Sequence, residues 1–156
     1  MTHGITVVPP GFGKLHITEL LLDYTGTLSR DGALIPGVAE RLTALARSVN
    51  ITVLTADTFG TAADQLKDLP LDMHIIGSGR DKEVFLSRLE AENVAAIGNG
   101  RNDAGMVRMA GLGVAIIGPE GCAGELVAAA DIVCRDICDA LDLLAAPLRI
   151  KATLRD

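Results

Sequence analysis

Residues 20–28 read Leu-Leu-Leu-Asp-Tyr-Thr-Gly-Thr-Leu, and this stretch decides the fold class. The three leucines end a short apolar run that predicts a buried strand, and Asp23 stands where that strand ends. A turn containing Gly26 follows at once, with the hydroxyl residues Thr25 and Thr27 beside it. In open α/β sheets, ligands bind at the carboxyl ends of the strands. We therefore expect a carboxylate, backbone amides and hydroxyl groups to face one crevice.

Elsewhere in the chain, apolar runs alternate with amphipathic segments, as in a parallel sheet with crossover helices. Strands are predicted at 17–23, 51–55, 71–76, 94–98, 114–117 and 132–134. Helices are predicted at 38–49, 61–69, 81–92, 103–109, 124–129 and 137–144. The pattern predicts one α/β, three-layer Rossmann-like domain with a central parallel sheet over residues 1–156. Residues 1–14 are expected to be irregular or to add an edge strand at Ile5–Val8, and residues 147–156 to form a helical or frayed tail.

The composition excludes several classes of function. The chain has 156 residues, of which 49% are hydrophobic and only 3% aromatic, so aliphatic side chains must fill the core. A net charge of -6 opposes nonspecific binding to nucleic acid or anionic membrane, and no apolar run reaches membrane-spanning length. Cys122, Cys134 and Cys138 have no ligand spacing with the histidines and lie in or beside apolar runs, which predicts buried reduced thiols and no zinc site. We expect a cytoplasmic location because the sequence shows neither a signal-like segment nor a membrane-spanning run.

Four features of the sequence would meet in the crevice. The first is the turn that follows Asp23, and the second is Thr55-Ala56 at the end of the next strand. The third is Lys82 at the start of a helix. The fourth is the stretch 98–103, Gly-Asn-Gly-Arg-Asn-Asp, after a later strand. Since each lies at the carboxyl end of a strand or the beginning of a helix, all four can face one site.

The residue types suit phosphoryl transfer. Asp23 would attack phosphorus and form an aspartyl-phosphate, which divides one difficult step into two. A carboxylate that approaches a phosphate dianion is repelled, so a Mg²⁺ ion between them is required. Mg²⁺ prefers few carboxylates together with water and phosphate oxygens. Asp23, the main-chain carbonyl of Thr25, Asn99 and Asp103 would supply or support its ligands.

The remaining candidates would hold and neutralise the phosphoryl group. Thr55 can donate a hydroxyl hydrogen bond to a phosphoryl oxygen. Lys82 adds a point charge beside Asp23 and the transferring group. Further substrate contacts are expected from the two glycine turns and the second motif, at Gly26, Thr27, Ala56 and Asn102.

Several of these residues also have a structural interpretation. Asp23 alone could be a turn or helix-cap residue, and a single lysine such as Lys82 is often a solvated helix residue. Asp57 is equally compatible with support of Lys82 and with capping of the next helix. Tyr24 and Arg101 are interpreted as exposed candidates for substrate contact.

Taken together, the motifs resemble those of the haloacid dehalogenase (HAD) superfamily, the aspartate-nucleophile phosphohydrolases. Within it the chain is most similar to the phosphorylation domain of P-type ATPases. Residues 23–27 match the motif Asp-Lys-Thr-Gly-Thr, 55–57 echo Thr-Gly-Asp, and 98–103 match Gly-Asp-Gly-x-Asn-Asp. The resemblance covers residues 17–144. It implies a Mg²⁺-dependent phosphatase that acts on a small-molecule or macromolecular phosphorylated substrate.

Two departures from the family pattern bear on catalysis. Superfamily phosphatases carry an aspartate at the position of Thr25 as general acid and base, a contribution of about 10²- to 10⁴-fold. P-type ATPases also have threonine there, which implies a longer-lived phosphoenzyme. Asn99 replaces a metal-ligating aspartate, which predicts weaker metal binding. The sequence therefore predicts a slow phosphatase; the alternative is a noncatalytic regulatory or interaction domain that retains phosphate or metal binding.

The spacing of the motifs limits what surrounds the site. Only a small flap at 26–37 and one helix separate the first two motifs, so we expect no cap domain and no inserted nucleotide-binding domain. Ion pumping is excluded by the lack of membrane-spanning runs. The open site would accept bulky substrates or be covered by a neighbouring subunit, so a homo-oligomer is one alternative. A role as partner of a metal-transport system rests only on the resemblance.

Overall fold

The computed structural model describes residues 3–156, and its elements alternate along the chain between strands and helices. The strands are β1 (Ile5–Val7), β2 (Leu15–Ile17), β3 (Glu19–Leu22), β4 (Ser29–Arg30), β5 (Ala33–Leu34), β6 (Asn50–Thr55), β7 (Asp72–Ile75), β8 (Val94–Gly98), β9 (Leu112–Ile116) and β10 (Ile132–Cys134). The helices are α1 (Val38–Leu45), α2 (Ala62–Leu66), α3 (Gly79–Ser87), α4 (Ala104–Met109), α5 (Gly124–Ala129), α6 (Ile137–Ala145) and α7 (Leu148–Leu154). Short 3₁₀ turns occupy Ala91–Asn93 and Arg101–Asp103.

Six strands form one parallel sheet in the order β10-β9-β8-β3-β6-β7. Strand β3 lies in the middle, where Leu22 is opposite Val53 of β6 and Ile97 of β8. Along the chain, β6 and then β7 are added on one side of β3. The next strand, β8, pairs with the other side of β3, and β9 and β10 follow outward from it. This reversal of strand order opens a crevice at the carboxyl end of β3, the place where such sheets bind ligands. The predicted central parallel sheet is confirmed.

The sheet separates two layers of helices. Leu20 and Leu22 are fully buried in a cluster that includes residues of α1, α2, α6 and α7. Leu21 points the other way and packs with residues of α3, α4 and α5. Alternate residues of a strand face opposite sides of a sheet, so a continuous apolar run is what a strand covered on both faces requires. The predicted three-layer arrangement is confirmed.

A strand forms where the sequence offered an edge strand at Ile5–Val8 as one alternative. Ile5–Val7 pairs antiparallel with β2 in a separate two-stranded sheet, and not at an edge of the main sheet. The turn between β1 and β2 contains Gly11 and Gly13, both with positive φ, and it directs β1 back along β2. Ile5 and Val7 thereby join the core below α7.

The carboxyl-terminal tail is helical. Helix α7 buries Ile150 in the core, which favours an ordered helix over a frayed end. Most other helices are shorter than predicted. Helix α3, for example, ends at Ser87, because residues 91–93 form a 3₁₀ turn instead of continuing it. Among the elements described from residue 3 onward, no helix combines the length and apolar character needed to cross a bilayer.

The predicted flap is a hairpin of two short strands, β4 and β5. Arg30 pairs with Ala33, and the two residues between them are Asp31 and Gly32, with φ of 51° and 83°. Positive φ at both positions is typical of a two-residue type I′ turn, for which Asp-Gly is a favoured pair. In the described part of the chain, this hairpin is the only pair of strands between β3 and α1.

The three cysteines are free and half-buried. Burial raises the pKa of Cys134 to about 11, and the nearby Asp139 and Asp136 act in the same direction. A thiol in such surroundings is a weak nucleophile.

Candidate active site

A buried ion triad lies at the carboxyl end of β3. The ammonium group of Lys82 donates to Oδ1 of Asp23 at 2.8 Å and to Oδ1 of Asp103 at 2.5 Å. Lys82 and Asp103 are completely buried, and Asp23 is 5% exposed. Charged groups are seldom buried to this degree unless they are paired. The structure thus brings three of the sequence-predicted site residues into direct contact.

Local sequence explains how Lys82 reaches this position. Helix α3 begins after Ser78, whose hydroxyl oxygen accepts the N–H of Asp81 at 3.4 Å and caps the helix. A Cβ added to Gly79 would lie 2.6 Å from the carbonyl oxygen of Asn102, so only glycine permits this approach. The first turn of α3 therefore packs against the 3₁₀ turn, and this contact places Lys82 beside Asp103.

Asp103 has both carboxylate oxygens occupied. Oδ1 accepts from Lys82, and Oδ2 accepts the backbone N–H of Asn99 at 3.1 Å and of Gly100 at 2.9 Å. The second pair of bonds closes the glycine turn after β8. Asp103 therefore positions Lys82 and shapes the turn, and three of its roughly four acceptor lone pairs are used in doing so.

The triad carries two carboxylates and one ammonium group, so its charge is unbalanced. Burial raises the pKa of Asp23 to about 7, the charge of Asp103 adds to this, and Lys82 and Thr27 oppose it. Burial also disfavours the charged form of Lys82, but the two carboxylates outweigh it and raise its pKa above the ordinary value. Lys82 is consequently protonated at neutral pH, while Asp23 is poised between its two states. A cation arriving in the crevice would favour ionised Asp23.

Thr27 and Asn99 form the next layer of the site. The hydroxyl of Thr27 lies 3.0 Å from Oδ2 of Asp23 and 3.1 Å from Oδ1 of Asn99. A hydroxyl has one hydrogen to donate, so it can serve only one of these oxygens at a time. A Cβ on Gly26 would collide with the Asn99 carboxamide, and the φ of 78° at Gly26 also requires glycine.

The two remaining predicted hydroxyl residues are placed for contact with a ligand. Thr25 Oγ1 is buried and has no hydrogen-bond partner among residues 3–156. Thr55 is 1% exposed, and its hydroxyl oxygen accepts the N–H of Asp57 at 2.9 Å, which leaves its own hydrogen to donate. A buried polar atom without a partner is uncommon and calls for one.

The side chain of Asp57 caps the N-terminus of α2. Its Oδ1 accepts the backbone N–H groups of Thr61 and Ala62, each at 3.1 Å. This is the second of the two interpretations that the sequence left open. The φ of 53° at Asp57 turns the chain sharply after β6 and exposes Ala56 at the crevice.

A cleft of about 210 Å³ opens above Asp23. It is lined by Asp23, Thr25, Thr55, Ala56, Thr58, Asn99, Gly100, Asn102 and Glu120. The other predicted site residues, Gly26, Thr27, Lys82 and Asp103, stand outside this lining. Glu120 and Thr58 also line the cleft but were not predicted from the sequence; each lies three residues beyond a predicted strand, a weaker signal than that of Asp23, which follows β3 directly.

Two expected substrate contacts are corrected by the structure. Tyr24 is completely buried, and its hydroxyl donates to the carbonyl of Gly32 at 2.8 Å, so it holds the flap. It belongs to the same cluster as Leu22, because residues two apart in an extended chain share a face. The side chain of Arg101 is 86% exposed as expected, but it pairs with Glu125 at 3.1 Å, outside the cleft lining.

The donor groups in the cleft fit a magnesium ion. In the described part of the chain, no cluster of three His, Cys, Asp or Glu side chains forms a metal cage. Mg²⁺ needs less than this, since it binds through one or two carboxylates and keeps several waters. The cleft offers the carboxylate of Asp23 and the carboxamide oxygen of Asn99, both hard oxygen donors, beside an excess negative charge.

Comparisons with known proteins identify the fold. No family model matches the chain. It is 47% identical over 76 residues to Uncharacterized protein MJ0073 of Methanocaldococcus jannaschii, a match that covers 46% of this chain and 82% of that protein. The chain belongs to the same family as MJ0073. Two solved structures extend the comparison to most of the chain.

The first is 3-deoxy-D-manno-octulosonate 8-phosphate phosphatase from Moraxella catarrhalis, in complex with magnesium ion, phosphate ion and KDO. It has a TM-score of 0.71 and 21% identity, and the match covers 83% of this chain and 86% of that one. The second is named as a HAD superfamily (subfamily III A) hydrolase from Legionella pneumophila, with a TM-score of 0.73, 18% identity and coverage of 88% and 87%. The chain has the HAD fold. At this level of identity the HAD likeness establishes the fold and not the chemistry of the site.

Proposed function

We propose that this HAD-fold protein is a Mg²⁺-dependent phosphohydrolase that acts through an aspartyl-phosphate on Asp23. One observation carries the proposal: the buried ammonium of Lys82 contacts both Asp23 and Asp103 at the carboxyl end of β3, directly below an open cleft. A structural ion pair does not need to open onto a cleft. A buried carboxylate with a pKa of about 7 at the floor of one is typical of a functional site.

In the first step, a carboxylate oxygen of Asp23 attacks the phosphorus atom of a phosphate ester. The bond between phosphorus and the ester oxygen breaks, and its electron pair leaves with the alcohol or phenol oxygen. Lys82 remains protonated and reduces the repulsion between Asp23 and the phosphoryl group. In the second step, water attacks the same phosphorus atom, and the electron pair of the acyl phosphate bond returns to Asp23.

The phosphoryl oxygens would be bound by groups that face the cleft. Thr55 has a hydroxyl hydrogen to donate, and the unpaired Thr25 Oγ1 would gain a partner. The substrate residues predicted from the sequence, Gly26, Thr27, Ala56 and Asn102, stay proposals in these roles. Of these, Ala56 and Asn102 line the cleft, and Thr27 lies behind Asp23.

Asp23, Asn99 and the main-chain carbonyl of Thr25 would hold the Mg²⁺ ion, with Asp103 supporting them through Lys82 and the glycine turn. When bound, the ion would supply positive charge to a phosphoryl oxygen and to the nucleophile. Binding is expected to be weak, since Asn99 contributes a neutral ligand. Thr25 cannot titrate near neutral pH, so a turnover slower than that of a phosphatase with aspartate there follows from this assignment.

A second candidate function is a noncatalytic regulatory or interaction domain. It is favoured by one contact: Nδ2 of Asn99 donates to the carbonyl of Gly121 at 3.1 Å. A carboxylate at this position could not make that bond. Asn99 therefore has a structural role that would be kept in a protein without catalysis.

An aryl phosphate assay in excess Mg²⁺ tests the first function. Wild type should release the phenol, and Asp23→Asn should not. Asp64→Asn, which alters an exposed carboxylate paired with Lys67, is the matched control and should behave as wild type. Equal turnover by wild type and Asp23→Asn would overturn the proposal. If neither is active, the melting temperature with Mg²⁺ and beryllium trifluoride decides between the candidates, because a binding site without turnover should still raise it.

A further inference from the structure

We propose that Glu120 is the general base, and for poor leaving groups the general acid, of this site. The inference rests on the proposed phosphatase reaction. Thr25 cannot exchange a proton at neutral pH, yet hydrolysis of an aspartyl-phosphate benefits from a base that activates water. Among the described residues that line the cleft, only Asp23 and Glu120 have ionisable side chains. Asp23 is the nucleophile, so Glu120 is left for proton transfer.

The positions of the two carboxylates suit these different roles. Asp23 is 5% exposed at the floor of the cleft, whereas Glu120 is exposed at its rim. In an in-line displacement, the group that leaves and the water that later attacks both lie on the face of phosphorus opposite Asp23. With Asp23 buried, that face would lie on the open side of the cleft, and Glu120 is an exposed residue of the cleft lining.

The loop that carries Glu120 is fixed at several points. The N–H of Ile117 donates to Cys134 at 3.0 Å, and that of Gly118 donates to Arg135 at 2.9 Å. On the other side of Glu120, the carbonyl of Gly121 accepts from the side chain of Asn99. A loop held at both ends can present a side chain to the cleft with little loss of conformational entropy on binding.

One of the two carboxylate oxygens of Glu120 accepts a hydrogen bond from the protein. Its Oε2 accepts the backbone N–H of Asp31, at the tip of the flap, at 3.3 Å. Its Oε1 has no hydrogen-bond partner among residues 3–156 and can accept a proton from water. The flap in turn is held through the carbonyl of Gly32, which accepts from Tyr24 at 2.8 Å and from Thr61 at 2.6 Å.

The proposed proton transfers balance over one cycle. In the first step, protonated Glu120 gives its proton to the departing ester oxygen, a transfer that a phenol with a low pKa does not need. In the second step, the Glu120 carboxylate removes a proton from the attacking water as the new bond to phosphorus forms. With an alkyl ester the products are the alcohol, inorganic phosphate and free Asp23, and Glu120 again carries the proton that it gave away. With a low-pKa phenol, Glu120 begins as the carboxylate and releases the proton that it gains to solvent.

The two departures from the phosphatase pattern then have a common explanation. Thr25 removes the usual acid and base. Asn99, through its amide hydrogen, holds the loop that brings a replacement carboxylate into the same cleft.

Rapid-quench kinetics with 4-nitrophenyl phosphate and Mg²⁺ test this assignment in Glu120→Gln. Glu92→Gln is the matched control, because Glu92 is exposed and precedes β8 at the opposite end of the sheet. We expect the initial burst of nitrophenol to persist in Glu120→Gln, and the subsequent steady-state rate to fall by about 10- to 100-fold. The phosphorylated protein should accumulate, and Glu92→Gln should match wild type.

Two results would overturn the inference. One is a steady-state rate in Glu120→Gln equal to that of Glu92→Gln. The other is a burst and a steady-state rate that fall together, since this is the effect of a disturbed loop or flap and not of a lost base. Failure of the phosphatase proposal is recognised separately, because wild type and Asp23→Asn would then show the same rate and no burst.

Discussion

The side-chain amide of Asn99 donates to the carbonyl of Gly121 at 3.1 Å, while its Oδ1 faces the hydroxyl of Thr27 at 3.1 Å. One residue thus joins the turn after β8 to the loop after β9 and still offers an oxygen near the nucleophile. A carboxylate in its place would gain charge for metal binding but would repel the Gly121 carbonyl. The two consequences can be measured separately.

Asn99→Asp is therefore expected to lower the half-saturating Mg²⁺ concentration without a matching gain in turnover. An added carboxylate ligand contributes on the order of 1.4 kcal/mol, about tenfold in affinity. The loop that carries Glu120 loses its anchor at the same time. Mg²⁺ titrations of the melting temperature and of the steady-state rate give the two quantities. A rise in turnover as large as the rise in Mg²⁺ affinity would show that the anchor has no catalytic effect.

Asp23→Asn is expected to stabilise the Mg²⁺-free protein at high pH. Burial raises the pKa of Asp23 from 3.8 to about 7, so the folded state holds this proton more tightly than the unfolded chain does. The contribution of Asp23 to the free energy of unfolding is fully present below about pH 4. It decreases as the pH rises from about 4 to about 7, and it does not change further above pH 7. About three pKa units at 1.4 kcal/mol each set an upper bound of about 4 kcal/mol at pH 8.

Thermal unfolding at pH 4, 6 and 8 without Mg²⁺ measures this difference. Asp23→Asn should melt several degrees above wild type at pH 8, and the two should converge at pH 4. Asp64→Asn has an exposed carboxylate and should follow wild type throughout. A variant that is less stable than wild type at pH 8 would contradict the assigned charge imbalance.

The central strand and the position of the site could be predicted from the sequence, because a continuous apolar run is required only of a strand that is covered on both faces. Leu20 to Leu22 form such a run. A carboxylate placed directly after such a strand must lie at the rim of the sheet. For this reason Asp23 and the turn after β8 could be assigned to one crevice from sequence alone.

Other features depended on contacts that no local pattern specifies. An edge strand at Ile5–Val8 was one of two alternatives from the sequence, but the pairing of Ile5–Val7 with β2 is set by the glycine turn between them. Glu120 follows the end of β9 only after Ile117, Gly118 and Pro119, so the direction of its side chain could not be read from alternation along the strand. Tyr24 was a different kind of error, since alternation from Leu22 already placed it inward.

Lys82→Met is expected to be strongly destabilising at neutral pH. It leaves the carboxylates of Asp23 and Asp103 buried beside each other without the ammonium group that contacts both. Removal of one partner from a buried ion pair costs about 3–5 kcal/mol. Urea unfolding at pH 7.5 measures the loss. Lys67→Met, at an exposed pair on α2, should change the free energy of unfolding by less than about 0.5 kcal/mol.

A double variant separates charge from packing at the same place. Lys82→Met with Asp103→Asn removes one carboxylate together with the ammonium, so it should recover part of the lost stability. Equal stability of the single and double variants would show that the cost comes from packing of the lysine chain and not from the uncompensated carboxylates.

Thr25→Asp is expected to raise turnover and to lower stability without Mg²⁺. Aspartate is close to threonine in size. Thr25 Oγ1 is buried and has no hydrogen-bond partner in the described chain, so the substitution breaks no side-chain hydrogen bond. It adds a proton-transfer group where the fold family's phosphatases carry one, and a gain of about 10- to 100-fold is expected for alkyl phosphates. It also adds negative charge beside a triad that already has an excess. The melting temperature without Mg²⁺ should therefore fall, and saturating Mg²⁺ should restore it. An unchanged rate together with an unchanged melting temperature would place residue 25 outside the reacting group's reach.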